Sequence, residues 1–339
     1  MVSGSPSSDS RLAFDHRQML GDEDELIPSA VWPDLVNGGP FITFTRGYSR
    51  LSLREYYGRR REVIPMSVTQ DEKAARFKAL HDGPGVFVIP NPWDVSSARI
   101  LAGLGFQALA TSSAAAACAL GRRDHGLTRD EALAHSRSII GATDLPVSAD
   151  LGNGFGDAPE VVAEAIRLAA EVGLVGCTIE DATGKQDAPL YDFHLAVERI
   201  AAAARVARAL PFPFVLTARA HNFLFAMPSL DDTISRLQAY EKAGADVLFA
   251  PGLPDLATVR AVCAAVSKPF NFMVGIKGKS FSVDELEAAG VRRISLATSL
   301  YRAAMTGFLD AAREVKDSGQ FGFLDRCLTT PELNKLMGI

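Results

Sequence analysis

Residues 146–184 read PVSADLGNGFGDAPEVVAEAIRLAAEVGLVGCTIEDATG, and one structural unit can be followed through them from end to end. The apolar run 147–150 stops at Asp150 and has the length of a short buried strand. A glycine-rich turn follows, with Gly154 and Gly156 permitting a tight bend. Residues 159–172 (PEVVAEAIRLAAEV) repeat apolar side chains every three and four positions, which predicts a helix opened by Pro159 and closed by Gly173. A second strand, 176–180, ends on Glu180. Strand, loop, helix and strand in this order make one crossover unit of a parallel sheet.

Working outward in both directions, the unit recurs. Expected strands fall at 86–90, 108–112, 147–150, 176–180, 214–218, 247–250, 270–274 and 293–296, separated by Ala-, Leu-, Glu- and Arg-rich helical stretches such as 231–243. Gly105, Gly173, Gly244 and Gly290 each follow a helical pattern just before a strand, where a left-handed cap favours glycine. An open doubly wound sheet is the competing arrangement. The first strand leads into Pro90-Asn91-Pro92-Trp93 and not into a glycine-rich dinucleotide fingerprint, so eight units favour an α/β fold closed as a (β/α)8 barrel.

The totals narrow the function classes. The 339 residues are 47% hydrophobic and 22% charged, enough to bury a full core, and no apolar run is long enough to span a bilayer. A net charge of −5 gives no general attraction for nucleic acid, so a small molecule is the expected partner. Cys118, Cys177, Cys263 and Cys327 stand far apart, which suggests neither zinc knuckle nor disulfide framework and points to a reducing, cytoplasmic setting. Residues 1–65 mix Ser, Asp, Gly and Pro without a sustained period and are read as a disordered leader or mis-assigned start. Arg59-Arg60-Arg61 within them, flanked by Glu55 and Glu62, is read as a solvated face. The barrel is assigned to 66–316 and a C-terminal helical extension to 317–339.

Barrel enzymes carry their chemistry at the C-terminal ends of strands. Those ends lead here to Asp94, to Ser112-Ser113 and then Asp124, to Asp150, to Glu180-Asp181, to Arg219 and His221, while Asn271 lies within the seventh strand. Asp124, Asp150 and Glu180 could together hold a hard divalent cation, Mg²⁺ or Mn²⁺, partly through water. Arg219 is placed to take a substrate carboxylate or phosphonate by a bidentate pair. Plainer readings stand beside these. Asp94 suits an N-cap, Asp124 a surface ion pair, Arg219 an internal counter-ion, His221 a structural hydrogen bonder and Cys177 a core position.

The chain resembles the isocitrate lyase and phosphoenolpyruvate mutase superfamily from about residue 73 to 336. The segments that carry the resemblance are NPWDVSSARILAGLGFQALATSS (91–113), LGRRD (120–124), PVSADLGNGFGD (146–157), GCTIEDATG (176–184), LTARAHN (216–222) and FLDRCLTTPELNKL (323–336). The resemblance implies a metal-dependent lyase that forms pyruvate or a related 2-oxo acid through an enolate-like species. Carried over position by position, it makes Asp150 the direct metal ligand and puts Asp124 and Glu180 in the water-mediated shell. It sets Arg219 on the substrate carboxylate, and Ser112, Ser113 and Ala114 on the turn that holds the substrate's carboxylate and oxo group. It also implies a homotetramer with C-terminal helices exchanged between subunits.

Two departures bear on the reaction. The family commonly carries a second acidic residue two positions after the first on strand 3, where this chain has Gly152. The lyase branch has a cysteine-bearing gating segment after strand 4, whereas this loop reads GKQDAPL (184–190). Lys185, Tyr191 and His221 are therefore the candidate proton donors, and Asn271 a further candidate substrate contact. The leading expectation is cleavage of a C–C bond in a small di- or tricarboxylate resembling 2-methylisocitrate or oxaloacetate. The alternatives are C–P chemistry of the phosphonopyruvate hydrolase or phosphoenolpyruvate mutase type, and a barrel that binds a carboxylate without turning it over.

Overall fold

The computed structural model of the chain describes residues 68–225 and 227–339, so the reading of residues 1–65 lies outside the described residues. Eight strands alternate with helices: β1 (Phe87–Ile89), β2 (Leu109–Ala110), β3 (Val147–Asp150), β4 (Gly176–Glu180), β5 (Val215–Arg219), β6 (Val247–Phe249), β7 (Phe270–Met273) and β8 (Arg293–Ser295). All paired neighbours are parallel, in the order β1-β8-β7-β6-β5-β4-β3-β2. The remaining seam, between β1 and β2, is joined by the Ala110 N–H donating to the Pro90 carbonyl at 3.0 Å. Asn91 reinforces it, its amide donating to Thr111 O at 3.1 Å while its oxygen accepts from Leu296 N at 2.9 Å. The architecture is the expected (β/α)8 barrel.

The helices are α1 (Gln70–Asp82), α2 (Val95–Gly103), α3 (Ser113–Ala119), α4 (Arg129–Ile140), α5 (Pro159–Glu171), α6 (Phe193–Ala209), α7 (Leu230–Ala243), α8 (Leu256–Ala265), α9 (Val283–Ala288), α10 (Ser299–Ser318) and α11 (Thr330–Met337). Gly105, Gly173, Gly244 and Gly290 have φ of 87°, 100°, 108° and 94°, the left-handed turns expected between helix and strand. β2 is shorter than its apolar run because Ser112 leaves the ladder to cap α3. Among the described residues no helix is long and apolar enough to cross a membrane.

Alternation along the strands sorts the side chains. Ala149, Cys177, Ile179, Leu216, Ala218, Leu248, Phe270, Phe272 and Ile294 face the helices and form the main core. Their neighbours Asp150, Glu180, Thr217, Arg219, Asn271 and Arg293 consequently face the barrel axis. The N-terminal end of the axis is closed by α1, whose Ala74 and Phe77 pack with Phe87, Ile89, Val215 and Val247. The opposite end stays polar, and there the site lies.

Candidate active site

The β4–β5 register sets Glu180 directly beside Arg219, and the β3–β4 register sets Asp150 two residues lower, beside Thr178. Arg219 Nη1 lies 3.3 Å from Glu180 Oε2 and 3.8 Å from Asp150 Oδ2. The hydroxyl of Ser113, at the start of α3, lies 3.0 Å from Asp150 Oδ2 and 3.2 Å from Asp124 Oδ1, so its one proton is shared between the two carboxylates. The backbone N–H of Gly152 donates to Asp150 Oδ1 at 3.2 Å. Asp150 and Glu180 thus flank one guanidinium, with Asp124 joined to Asp150 through Ser113, in a cavity of about 210 Å³ also lined by Ser112, Ala114, His221 and Asn271.

The electrostatics follow from that imbalance. Burial raises the Asp150 carboxyl pKa; Arg219 opposes the rise, and the neighbouring Glu180 and Asp124 add to it. Burial also pushes Glu180 up, but His221 and Arg219 outweigh it and bring its carboxyl down to about 2. His221 Nε2 lies 2.9 Å from Glu180 Oε2, and its backbone N–H donates to Asp181 Oδ1 at 2.9 Å. Glu180 Oε1 is buried and has no hydrogen-bond partner. A buried carboxylate oxygen without a partner is costly and is the mark of a site completed by a cation or water.

Among the described residues no three His, Cys, Asp or Glu side chains are gathered closely enough to chelate an ion by themselves. Mg²⁺ and Mn²⁺ do not require that, since hard divalent ions keep several waters and accept one or two carboxylates. The orphaned Glu180 oxygen, the desolvated Asp150 and the hydroxyl-linked Asp124 fit such an ion.

The other expected residues divide. Asn271 is fully buried, its oxygen accepting from Arg293 Nε at 2.8 Å and its amide donating to Ser295 Oγ at 3.0 Å. Ser112 lines the cavity, with its hydroxyl capping α3 by accepting from Ala115 N at 3.3 Å. Lys185 and Tyr191 do not line this cavity. A bridge between Ala182 and Leu190 folds their loop back towards the strand-3 loop. There Lys185 Nζ pairs with Asp157 Oδ2 at 2.9 Å and the Tyr191 hydroxyl donates to Asp157 Oδ1 at 2.6 Å. Burial, with the Asp157 hydrogen bond second, raises the Tyr191 phenol to about 12. Asp94 caps α2, accepting from Ser97 N at 2.7 Å, and Cys177 is buried with its thiol pushed well up by burial, so both take their plainer readings.

Two lining residues went unassigned in the sequence. Arg293 is buried with only neutral partners: Asn271, Thr217 Oγ1 at 3.0 Å and His81 Nε2 at 3.3 Å. Burial lowers its guanidinium to about 9. Strand alternation could have found it, because of the adjacent Arg292 and Arg293 one must face inward. His125 lines both the cavity and a groove of about 680 Å³ that opens from it past Ser113 and Asp150. Its only sequence signal is its place directly after Asp124.

A family model described as phosphoenolpyruvate phosphomutase matches residues 77–316. The 2-methylisocitrate lyase of Escherichia coli K12 is 31% identical over 70% of this chain and 82% of its own length. Oxaloacetate decarboxylase 2 of Pseudomonas fluorescens Pf0-1 is 31% identical over 71% of this chain and 82% of its own length. A crystal structure from Burkholderia cenocepacia J2315, described no further than as a lyase/mutase, is 52% identical with a TM-score of 0.78, covering 80% of this chain and 97% of its own.

Proposed function

Because the chain belongs to the phosphoenolpyruvate phosphomutase family, within the isocitrate lyase superfamily, we propose that it is a carbon–carbon lyase acting on a small di- or tricarboxylate. The substrate class is that of 2-methylisocitrate or oxaloacetate, and the product is pyruvate or a related 2-oxo acid. The observation that carries this reading is the convergence of Asp150, Glu180 and Asp124 on one cavity, with Arg219 as the close cation of the first two.

Asp150, with Asp124 and Glu180 through water, would hold Mg²⁺ or Mn²⁺. The ion supplies positive charge to the substrate oxygen on which negative charge grows as the bond breaks. Arg219 takes the substrate carboxylate, its guanidinium already oriented by Glu180 and held over the Phe249 ring at 4.9 Å. The Ser112–Ala114 turn and Asn271 orient the rest of the pyruvyl portion. The groove leading past Ser113 and Asp150 accommodates the departing portion. Of the three expected proton donors, His221 is the one that lines the cavity, its ring oriented by the 2.9 Å contact of Nε2 with Glu180 Oε2.

Purified protein with Mg²⁺ is incubated separately with 2-methylisocitrate, oxaloacetate and phosphonopyruvate, and pyruvate is assayed. Pyruvate from a carboxylate substrate supports the lyase reading. Turnover of the phosphonate alone replaces it with C–P chemistry, the second reading that the matching family model keeps in view. The working unit is proposed to be a homo-oligomer, tetrameric by the family resemblance, assembled through the C-terminal helices.

A further inference from the structure

His125 has a φ of 60°, in the left-handed region that favours glycine. Its backbone N–H is fixed by Asp124 Oδ1 at 2.9 Å, and its ring lines the junction of cavity and groove. Nε2 stands 4.0 Å from Glu180 Oε1, the buried oxygen left without a hydrogen-bond partner. On its other side, Nδ1 lies 3.9 Å from the point where a Cβ on Gly152 would sit. By the superfamily resemblance drawn from the sequence, a second strand-3 acid is expected at position 152, where this chain has glycine. The imidazole therefore occupies the neighbourhood that this missing side chain would enter, and it faces the oxygen that lacks a partner.

We propose that His125 gives a ring nitrogen to the divalent-ion shell of Asp150 and Glu180, standing in for the carboxylate absent at Gly152. The site consequently favours a later first-row divalent ion over Mg²⁺. The inference rests on the metal-site reading above. With Glu180 reaching the ion through water, His125 faces that carboxylate from the strand-2 loop, its Nε2 4.0 Å from Oε1. Imidazole is a borderline donor suited to cobalt, nickel and zinc, whereas an all-oxygen shell suits magnesium and manganese, so exchanging one carboxylate for one imidazole shifts the preference.

The test compares the full chain with His125→Gly, a residue suited to the left-handed backbone, and with His125→Asn, which also tolerates it. Metal-free protein is titrated calorimetrically with Co²⁺ and with Mg²⁺, and nitrogen coupling to bound Mn²⁺ is read by pulsed electron paramagnetic resonance. The expected result is nitrogen coupling in the wild type that is lost in both variants. The ratio of Co²⁺ to Mg²⁺ affinity should fall about tenfold or more, and thermal unfolding of metal-free His125→Gly should stay at or above the wild-type temperature. A ratio unchanged within about twofold, coupling that persists in the variants, or a wild-type ion without nitrogen coupling overturns the role of His125 and leaves the metal site standing. Wild-type protein that binds none of the three ions overturns the metal-site reading itself, and this inference with it. Should either variant fail to fold, the wild-type coupling and the other variant decide.

Discussion

Glu180 and Arg219 are register partners on adjacent parallel strands, and their side chains close to 3.3 Å at the mouth of the barrel. With His221 on the same carboxylate, the pair makes Glu180 an acid-sensitive element of the fold.

The sign follows from the direction of the shift. Glu180 titrates at about 2 in the folded protein against an ordinary 4.5, so its ionised form stabilises the fold above the ordinary value. That contribution is lost as pH falls from about 4.5 towards 2. Denaturant midpoints measured from about pH 6 to pH 3 should fall for the wild type, and the fall should be shallower in Glu180→Gln. At neutral pH the variant should be less stable by a few kcal/mol, roughly, because Arg219 and His221 lose the buried negative charge opposite them. Parallel pH profiles for the two proteins would remove Glu180 from this role.

Asp150 behaves oppositely. Its raised pKa means that the ionised form is held at a cost above the folded-state pKa, a cost relieved as pH falls through that value. Asp150→Asn should therefore leave the metal-free protein at least as stable as the wild type, because the buried charge is removed while the amide oxygen can accept from the Gly152 N–H and the amide NH2 can donate to the Ser113 hydroxyl. The same change should abolish the joint stabilisation by Mg²⁺ and oxalate, an enolpyruvate mimic, in thermal-shift titration. A destabilised variant that still responds to both would show that Asp150 serves the fold and not the ion.

These opposite shifts mark what the sequence could and could not disclose. The strand ends at Asp150, Glu180 and Arg219 were legible because period-two alternation and the repeat of strand and helix place them without any side-chain detail. Where Lys185 and Tyr191 point was not, because it depends on the Ala182–Leu190 bridge and on Asp157, far away in sequence. His125 was illegible for a similar reason. Its relation to Gly152 and Glu180 arises only where three strand-end loops meet.

Asp181 lies next to Glu180 but faces away from the cavity, towards α7. It accepts from the Tyr240 hydroxyl at 2.8 Å, from Arg236 Nη1 at 3.2 Å and from the His221 N–H at 2.9 Å, with all four residues buried. Asp181→Ala should cost about 3–5 kcal/mol in chemical denaturation, because Arg236 is left buried with Asp232, at 2.9 Å, as its remaining carboxylate. Tyr240→Phe, which removes one hydroxyl donor, should cost only about 1–2 kcal/mol. Equal costs would mean that the charge pair carries little of the network.

Lys185 offers the contrast on the surface. It and Asp157 are 58% and 54% exposed, and the pair is worth less than about 1 kcal/mol once solvent screening is counted. Lys185→Ala should leave both denaturation midpoint and pyruvate formation within about threefold of wild type. A tenfold loss of turnover without loss of stability would return the ammonium to the chemistry, by a loop movement that releases Asp157.

The C-terminal region carries the last expectation. α10 runs for 20 residues with none of its side chains buried, and Met305, Phe308, Leu309 and Val315 are all exposed on it. Phe321, Leu324 and Leu328 extend the apolar surface along the chain that follows. Beyond Leu300 and Tyr301, which pack on the barrel, the apolar side chains of this amphipathic helix are exposed among the described residues; such a face is completed by another surface, and the proposed homo-oligomer supplies a second copy of the chain. Light scattering of the full chain should give a mass several times that of one subunit. Phe308→Glu, which sets a charge on the most exposed of the helix's large apolar residues, should shift the population to smaller species. Because α10 contributes no buried residue to the barrel, the separated subunit should keep its far-ultraviolet circular dichroism. A monomeric wild type would overturn the oligomer, and an unchanged mass in the variant would move the interface off Phe308.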